Sequence, residues 1–162
     1  MMRILFVCTG NTCRSPMASA LLLHEWESRL RSRMLETDSA GLAAAYGERA
    51  SEHARRVMHR AGIDLGTHLS APLDEERVAT ASLILVMSRQ HRNQLLRLFP
   101  AAADKTFLLK EFAGIAGNPD VADPYGGSLE DYRQTYEELY ASIKEIIKKL
   151  ERSTGHEGSS GQ

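Results

Sequence analysis

The chain has 162 residues, of which 43% are hydrophobic and 25% charged, values that fit one ordinary globular domain. Its net charge of −1 at pH 7 argues against a nucleic-acid binder that uses a broad basic face. The two cysteines, Cys8 and Cys13, are too few for a disulfide framework, and their closeness indicates chemistry in a reducing compartment. The apolar run at residues 4–7 is too short for a signal peptide or a membrane span, so we expect a cytoplasmic protein.

The N-terminal half predicts a strand, a tight loop and a helix, followed by a second strand and helix. Residues 3–8 predict a central strand, because their apolar run has no alternation and therefore fits a strand covered on both faces. A helix with one apolar face is predicted to run from Met17 to about Arg33. Its apolar residues are Met17, Ala20, Leu21, Trp26 and Leu30. A weak strand from Leu35 to Ala40, ending in Gly41, precedes a helix that opens at Ser51 and runs through Ala61 to Gly62.

The C-terminal half continues the alternation. Residues 82–87 predict the strongest strand, Ser88 is placed to cap a helix ending near residues 99–100, and residues 106–109 are a fourth strand candidate. The last helix has apolar residues at intervals of three and four. They are Leu129, Tyr132, Tyr136, Leu139, Tyr140, Ile143, Ile146, Ile147 and Leu150. The pattern predicts an α/β fold with a parallel sheet covered on both faces, a single domain over residues 1–152, and a mobile Ser/Gly-rich tail over residues 153–162.

Residues 8–15, Cys-Thr-Gly-Asn-Thr-Cys-Arg-Ser, lie where the chemistry is expected, beyond the carboxyl end of the first strand. A loop of this length can turn successive backbone N–H groups toward an oxyanion, and the following helix adds its N-terminal dipole. Arg14 can hold two phosphoryl oxygens in its planar fork. In this positive field we expect the Cys8 thiol to ionise well below its free value and to act as a nucleophile, with Ser15 donating a hydrogen bond to the sulfur. The alternative for Cys8 is a small buried hydrophobe at the end of a strand.

This loop resembles that of the low-molecular-weight protein phosphatases, which carry Cys-x5-Arg-Ser directly after the first strand. The resemblance covers nearly the whole chain and includes Ser-Ala-Gly at residues 39–41, Met87 after the third strand, and Asp-Pro-Tyr at residues 123–125. It implies a doubly wound, four-stranded parallel sheet with helices on both faces.

The resemblance also implies roles for individual residues. Cys8 matches the nucleophile, Arg14 the phosphate clamp and Asp123 the general acid. The remaining matched positions bind phosphate or support the loop. They are Thr9, Gly10, Asn11, Thr12, Cys13, Ser15 and Ser39. Alone, Asp123 is equally a solvated acid before a proline turn, and Asp120 is a nearby competitor that lacks the following Pro-Tyr.

Two departures concern the substrate. Thr12 stands where tyrosine phosphatases of this family usually carry an aliphatic residue, and Tyr125 is followed by two glycines where those enzymes often place a further aromatic. We expect Tyr125 to bind the substrate, and a threonine with this one ring suits a planar, polar guanidinium better than a phosphotyrosine ring. The combination resembles the bacterial protein-arginine phosphatases. It implies hydrolysis of phosphoarginine in proteins, an arginine kinase as functional counterpart, no cofactor or metal, and no nucleic-acid or membrane partner.

Other interpretations remain open at this point. Thr12 could be a neutral substitution, in which case the chain is a low-molecular-weight protein-tyrosine phosphatase. An arsenate reductase on the same fold needs further cysteines, and none follows Cys13. A non-catalytic phosphate sensor or thiol switch is a third possibility. Cys13 could form a disulfide with Cys8 or could simply pack, and His68 could line the far end of the site without an assigned role.

Overall fold

The computed structural model describes residues 1–29 and 34–157, and its centre is a four-stranded parallel sheet in the order β2-β1-β3-β4. The strands are β1 (Met2–Cys8), β2 (Leu35–Gly41), β3 (Leu83–Val86) and β4 (Thr106–Leu108). In the two pairings of β1, Cys8 lies opposite Gly41 and Val7 opposite Val86. The carboxyl ends of β1, β2 and β3 therefore meet at one edge of the sheet, where ligands bind in open α/β folds.

Helices cover both faces of this sheet, which confirms the predicted doubly wound architecture. The helices are α1 (Arg14–Arg29), α2 (Glu52–Arg60), α3 (Glu75–Thr80), α4 (Arg89–Leu98), α5 (Leu109–Ala113) and α6 (Leu129–Glu157). On one face Ile4 and Phe6 of β1 join a core with α1, α2 and α6. On the other face Leu5 and Val7 join a core with α3 and α4. Both faces of β1 are buried, and this explains its apolar run without alternation.

The first half of the chain follows the prediction with small shifts at the boundaries. β1 starts one residue earlier, at Met2, and α1 begins at Arg14 rather than Met17. The predicted end of that helix, residues 30–33, lies outside the described residues. Gly62 follows α2 with a φ of +79°, a left-handed conformation that glycine adopts without strain, so it ends the helix as predicted.

Two short helices, α3 and α5, were not predicted from the sequence. α3 has six residues and is capped by Asp74, whose side chain accepts a hydrogen bond from the Arg77 N–H at 2.8 Å. α5 has five residues and ends at Gly114, which has a φ of +75°. Neither segment is long enough to show helical periodicity in the sequence.

The C-terminal helix α6 buries the predicted apolar face in a core where it packs against α1, α2 and α5. It continues to Glu157, beyond residue 152, where the sequence places the end of the domain. Residues 158–162 of the predicted tail lie outside the described residues. Among the described residues, no helix combines the length and the apolar character needed to cross a membrane.

Candidate active site

The loop of residues 8–15 joins β1 to α1 at the carboxyl edge of the sheet. Cys8 is the last residue of β1 and Arg14 is the first residue of α1. Between them, Asn11 has a φ of +58°, a left-handed conformation in which asparagine is several-fold enriched. The chain therefore turns tightly around the Cys8 side chain and enters the helix at Arg14.

The end of β2 holds the first residues of this loop. The amides of Leu42 and Ala43 donate hydrogen bonds to the carbonyl oxygens of Cys8 and Thr9, at 2.9 and 3.0 Å. Gly41 permits this close approach, because a Cβ at this position would collide with the Thr9 carbonyl oxygen. Gly41, the last residue of the Ser-Ala-Gly segment, thus lies directly against the loop.

A chain of buried hydrogen bonds ends at the Cys8 sulfur. The Asn11 side-chain amide donates to Ser15 Oγ at 2.8 Å and to Ser39 Oγ at 2.9 Å, and its carbonyl oxygen accepts from the Ala71 N–H at 3.0 Å. Ser15 Oγ lies 2.8 Å from Cys8 Sγ. Because Ser15 Oγ accepts from Asn11, its own hydrogen is free to point at the sulfur, as a group that stabilises a thiolate must.

The pKa of the Cys8 thiol is raised from its ordinary value, which contradicts the sequence-based expectation. Burial raises it, while the side-chain and backbone hydrogen bonds from Ser15, the Arg14 charge and a backbone hydrogen bond from Asn11 lower it. Sequence reasoning counted the positive field of the loop but not the cost of removing a thiolate from water, and Cys8 is only 2% exposed. Burial therefore disfavours the thiolate, and the polar groups around the sulfur offset only part of that effect.

Arg14 connects the phosphate loop to the segment that carries Asp123. Its guanidinium is buried, with Nη1 donating to the Val121 carbonyl oxygen at 2.8 Å and Nη2 lying 3.5 Å from Asp123 Oδ2. The Asp123 side chain is half exposed, and its Oδ1 accepts from the Tyr125 N–H at 3.1 Å. Arg14 and Asp123 thus line the same cavity. There the Arg14 charge is available to a phosphate group and the Asp123 carboxyl group to a leaving group.

A cavity of about 220 Å³ brings the predicted site residues together. The predicted residues that line it are Cys8, Thr9, Gly10, Asn11, Thr12, Cys13, Arg14, Asp123 and Tyr125. Ser15, the last residue of the loop, and Ser39 of β2 do not line the cavity, but they form hydrogen bonds with Cys8 and Asn11, which do. Glu48 also lines the cavity and was not predicted. No group of three His, Cys, Asp or Glu residues within the described ranges could hold a metal ion.

Asp120, the competitor for the acid role, does not line this cavity. The pKa of Asp120 is lowered from its ordinary value. Burial alone would raise this pKa, but the hydrogen bonds from the Arg89 backbone and side chain and the Arg89 charge together outweigh burial. Asp120 therefore serves as an ionised partner of Arg89 at the start of α4.

Two histidines brace the loop from outside the cavity. His91 Nε2 lies 2.8 Å from Thr9 Oγ1, and its Nδ1 lies 2.7 Å from Ser88 Oγ, the residue predicted to cap α4. Burial, followed by the Arg14 charge, lowers the pKa of His91 to about 4, so the ring is neutral at pH 7. His68 Nε2 donates to the Asn11 carbonyl oxygen at 2.7 Å. The sequence analysis did not predict a role for His91. Its position shortly after β3, at the edge of the sheet where ligands bind, is the sequence feature that indicates a place near the site.

The Cys13 side chain contacts α6 and the start of α2. Its sulfur lies 3.3 Å from Tyr132 Oη and 3.4 Å from Ser51 Oγ, and both cysteines are free thiols. Burial raises the pKa of Tyr132 to about 12, so its hydroxyl keeps its proton and can donate to the sulfur. Cys13 thus both lines the cavity and packs between helices.

Known proteins match this chain over almost its whole length. The family described as low molecular weight phosphotyrosine protein phosphatase matches residues 3–156. A protein-arginine-phosphatase of Geobacillus stearothermophilus is 45% identical over 150 residues, covering 92% of this chain and 96% of the relative. The solved YwlE arginine phosphatase of the same organism has a TM-score of 0.88 at 43% identity, covering 96% of this chain and 97% of that chain. A solved YwlE mutant with a phosphorylated active-site serine has a TM-score of 0.86 at 40% identity, covering 93% of this chain and 96% of that chain.

Proposed function

The chain belongs to the low molecular weight phosphotyrosine protein phosphatase family, and from this membership we propose that it hydrolyses phosphoarginine in proteins through a cysteinyl-phosphate intermediate. The observation that carries the proposal is the shared cavity, in which Cys8, Arg14 and Asp123 meet the hydroxyl-bearing residue Thr12. The similarity to proteins named arginine phosphatases supports the choice of substrate.

Because burial raises the pKa of Cys8, the thiol must first lose its proton, which the Ser15 hydrogen bond and the Arg14 charge favour. In the first step the thiolate then attacks phosphorus, forming an S–P bond as the P–N bond breaks. The electron pair of the P–N bond stays on the guanidine nitrogen, which takes a proton from the Asp123 carboxyl. Arg14 and the backbone N–H groups of the loop stabilise the charge on the phosphoryl oxygens. The step leaves an unmodified arginine side chain in the substrate protein, a cysteinyl phosphate and an Asp123 carboxylate.

In the second step water attacks the phosphorus of the cysteinyl phosphate. The Asp123 carboxylate takes a proton from this water, and the electrons of the S–P bond return to Cys8 as thiolate. The Ser15 hydroxyl at 2.8 Å stabilises this leaving group. The phosphorylated active-site serine of the YwlE mutant supports an enzyme-bound phosphoryl group as the intermediate.

Two features of the cavity favour a guanidinium over an aromatic ring. Thr12, which carries a hydroxyl group, lines the cavity, and its backbone is held because its carbonyl oxygen accepts a hydrogen bond from the Ser51 N–H at 3.0 Å. A second aromatic side chain is disfavoured at both glycines after Tyr125. Gly126 has a φ of +78°, which aromatic residues rarely adopt, and a Cβ at Gly127 would lie 2.9 Å from the Pro124 carbonyl oxygen. A phosphotyrosine ring would therefore stack on Tyr125 alone, which is 75% exposed.

The same proposal covers the partners and the compartment. The substrates are proteins phosphorylated on arginine, and their phosphoryl groups must come from a protein-arginine kinase. We place the reaction in the cytoplasm, because a nucleophilic Cys8 with a second thiol five residues away needs a reducing environment.

The test compares turnover of matched phosphoarginine and phosphotyrosine peptides, with p-nitrophenyl phosphate as a general substrate and no added metal. We expect a higher kcat/KM for the phosphoarginine peptide and no turnover by Cys8→Ala. A preference for the phosphotyrosine peptide would replace the proposal with the tyrosine phosphatase alternative. No hydrolysis of any of the three substrates would leave a phosphate sensor as the function.

A further inference from the structure

We propose that Glu48 is a specificity-determining residue, whose carboxylate attracts the guanidinium of phosphoarginine and repels phosphorylated residues that carry no positive charge. This inference rests on the proposed function and adds a residue that chooses the substrate at the same site. Glu48 lies in the segment between β2 and α2, far in the sequence from both the phosphate loop and Asp123.

The backbone of Glu48 is fixed relative to the phosphate loop. Its N–H donates to Ser70 Oγ at 2.9 Å, its carbonyl oxygen accepts from the Ser70 N–H at 2.8 Å, and Ser70 is buried. Ser70 Oγ donates in turn to the Ala45 carbonyl oxygen at 2.7 Å. The next residue, Ala71, donates its N–H to the Asn11 side chain. The segment that carries Glu48 is therefore tied to the residue that organises the loop around Cys8.

The Glu48 carboxylate is available for a ligand. Throughout the described ranges it has no hydrogen bond or ion pair with another residue, whereas Asp123, the other carboxylate lining the cavity, lies 3.5 Å from Arg14. A carboxylate at a phosphate site opposes the binding of any anion, so phosphate binding alone does not account for it. In phosphoarginine the cationic group is bonded directly to phosphorus, and its charge therefore enters the same cavity as the phosphoryl group.

The competing explanation is that Glu48 is an ordinary solvated side chain on an exposed loop. Under that explanation its charge would affect both substrates equally, or neither. Glu52 provides the matched comparison, because it is also exposed, lies four residues away and does not line the cavity. Replacing either residue by glutamine removes one negative charge, but only Glu48→Gln removes it from the site.

The experiment measures kcat/KM for matched phosphoarginine and phosphotyrosine peptides with wild type, Glu48→Gln, Glu48→Lys and Glu52→Gln. We expect Glu48→Gln to lower the ratio of phosphoarginine to phosphotyrosine kcat/KM by about three- to fivefold, the upper part of the range for an exposed ion pair. The change should lie in KM rather than kcat and should shrink at high ionic strength. Glu48→Lys should lower the ratio further, and Glu52→Gln should leave it unchanged.

Different results of this experiment would refute the role of Glu48 and the proposed function. The shift in the ratio can be measured whichever peptide wild type prefers, so a preference for phosphotyrosine overturns the proposed function while Glu48 is still judged by its own shift. A ratio that stays within twofold of wild type in both Glu48 variants, or that moves equally in Glu52→Gln, would overturn the role of Glu48. Absence of turnover on both peptides would overturn both proposals.

Discussion

Replacing Thr12 by isoleucine should turn the preference of the enzyme toward phosphotyrosine without damaging the phosphate site. The backbone of Thr12 should stay in place, because the Ser51 N–H still donates to its carbonyl oxygen and both side chains are β-branched. The hydroxyl group of Thr12 lies 3.7 Å from Cys13 Sγ, which is a long contact, so its removal breaks no strong hydrogen bond within the protein. We therefore expect little change in the free energy of unfolding.

The effect on selectivity combines two terms. Isoleucine adds apolar surface to a half-buried wall, and each buried methylene is worth about 0.8 kcal/mol toward an aromatic ring. It also removes a hydrogen-bonding group from the guanidinium, and such bonds to charged groups contribute about 1.5–3 kcal/mol. Allowing for partial exposure, we expect a total of about 2 kcal/mol, or roughly thirtyfold in the ratio of kcat/KM values.

The assay is that ratio for matched phosphoarginine and phosphotyrosine peptides, before and after the substitution. Thr12→Val serves as the control, because it removes the hydroxyl group with almost no change in volume and so isolates the hydrogen-bond term. A change of less than about threefold in Thr12→Ile, with unfolding midpoints equal to wild type, would refute the idea that Thr12 sets specificity.

Three further predictions concern the acid, the nucleophile and the brace of the loop. Asp123→Asn should slow phosphoarginine hydrolysis by about 10²–10⁴-fold but p-nitrophenyl phosphate hydrolysis far less, because p-nitrophenolate needs little protonation. Equal losses of steady-state kcat on both substrates would show that Asp123 has only a structural role. Ser15→Ala should raise the pKa of Cys8, seen as a shift of its alkylation profile to higher pH, and an unshifted profile would show that Ser15 does not stabilise the thiolate. His91 has a pKa of about 4 in the folded protein, against an ordinary value of 6.5, so the unfolded chain binds a proton first as the pH falls. The wild-type protein should therefore lose up to about 3 kcal/mol of unfolding free energy as the pH falls from 6.5 to about 4. Denaturant unfolding at about pH 7 and pH 5 measures this loss of unfolding free energy, which should be smaller in His91→Asn than in wild type but unchanged in His59→Asn, an exposed control. Equal losses in all three proteins would contradict the claim that His91 is buried as a neutral ring.

The elements that the sequence predicts well are those whose signal is local. β1 has an unbroken apolar run because it is covered on both faces, and α6 shows a long apolar periodicity because one of its faces packs against the core. The loop of residues 8–15 was predicted for the same reason, since its chemistry is contained in eight consecutive residues between a strand and a helix.

The parts that the sequence does not predict depend on distant contacts or on burial. Glu48 reaches the cavity through hydrogen bonds with Ser70, and His91 reaches Thr9 from the start of α4, so neither belongs to a local motif. The raised pKa of Cys8 follows from how completely the fold covers the thiol, and a spacing of residues carries no information about that coverage.

Transfer of the phosphoryl group from arginine to Cys8 is the step on which the whole account depends. Rapid acid quenching of wild type with a phosphoarginine peptide, followed by mass spectrometry of the proteolytic fragments, measures it directly. We predict one phosphoryl group on Cys8 during turnover, and neither phosphorylation nor release of phosphate in Cys8→Ala. Release of phosphate at the wild-type rate by Cys8→Ala, or a phosphoryl group found on another residue, would contradict the account.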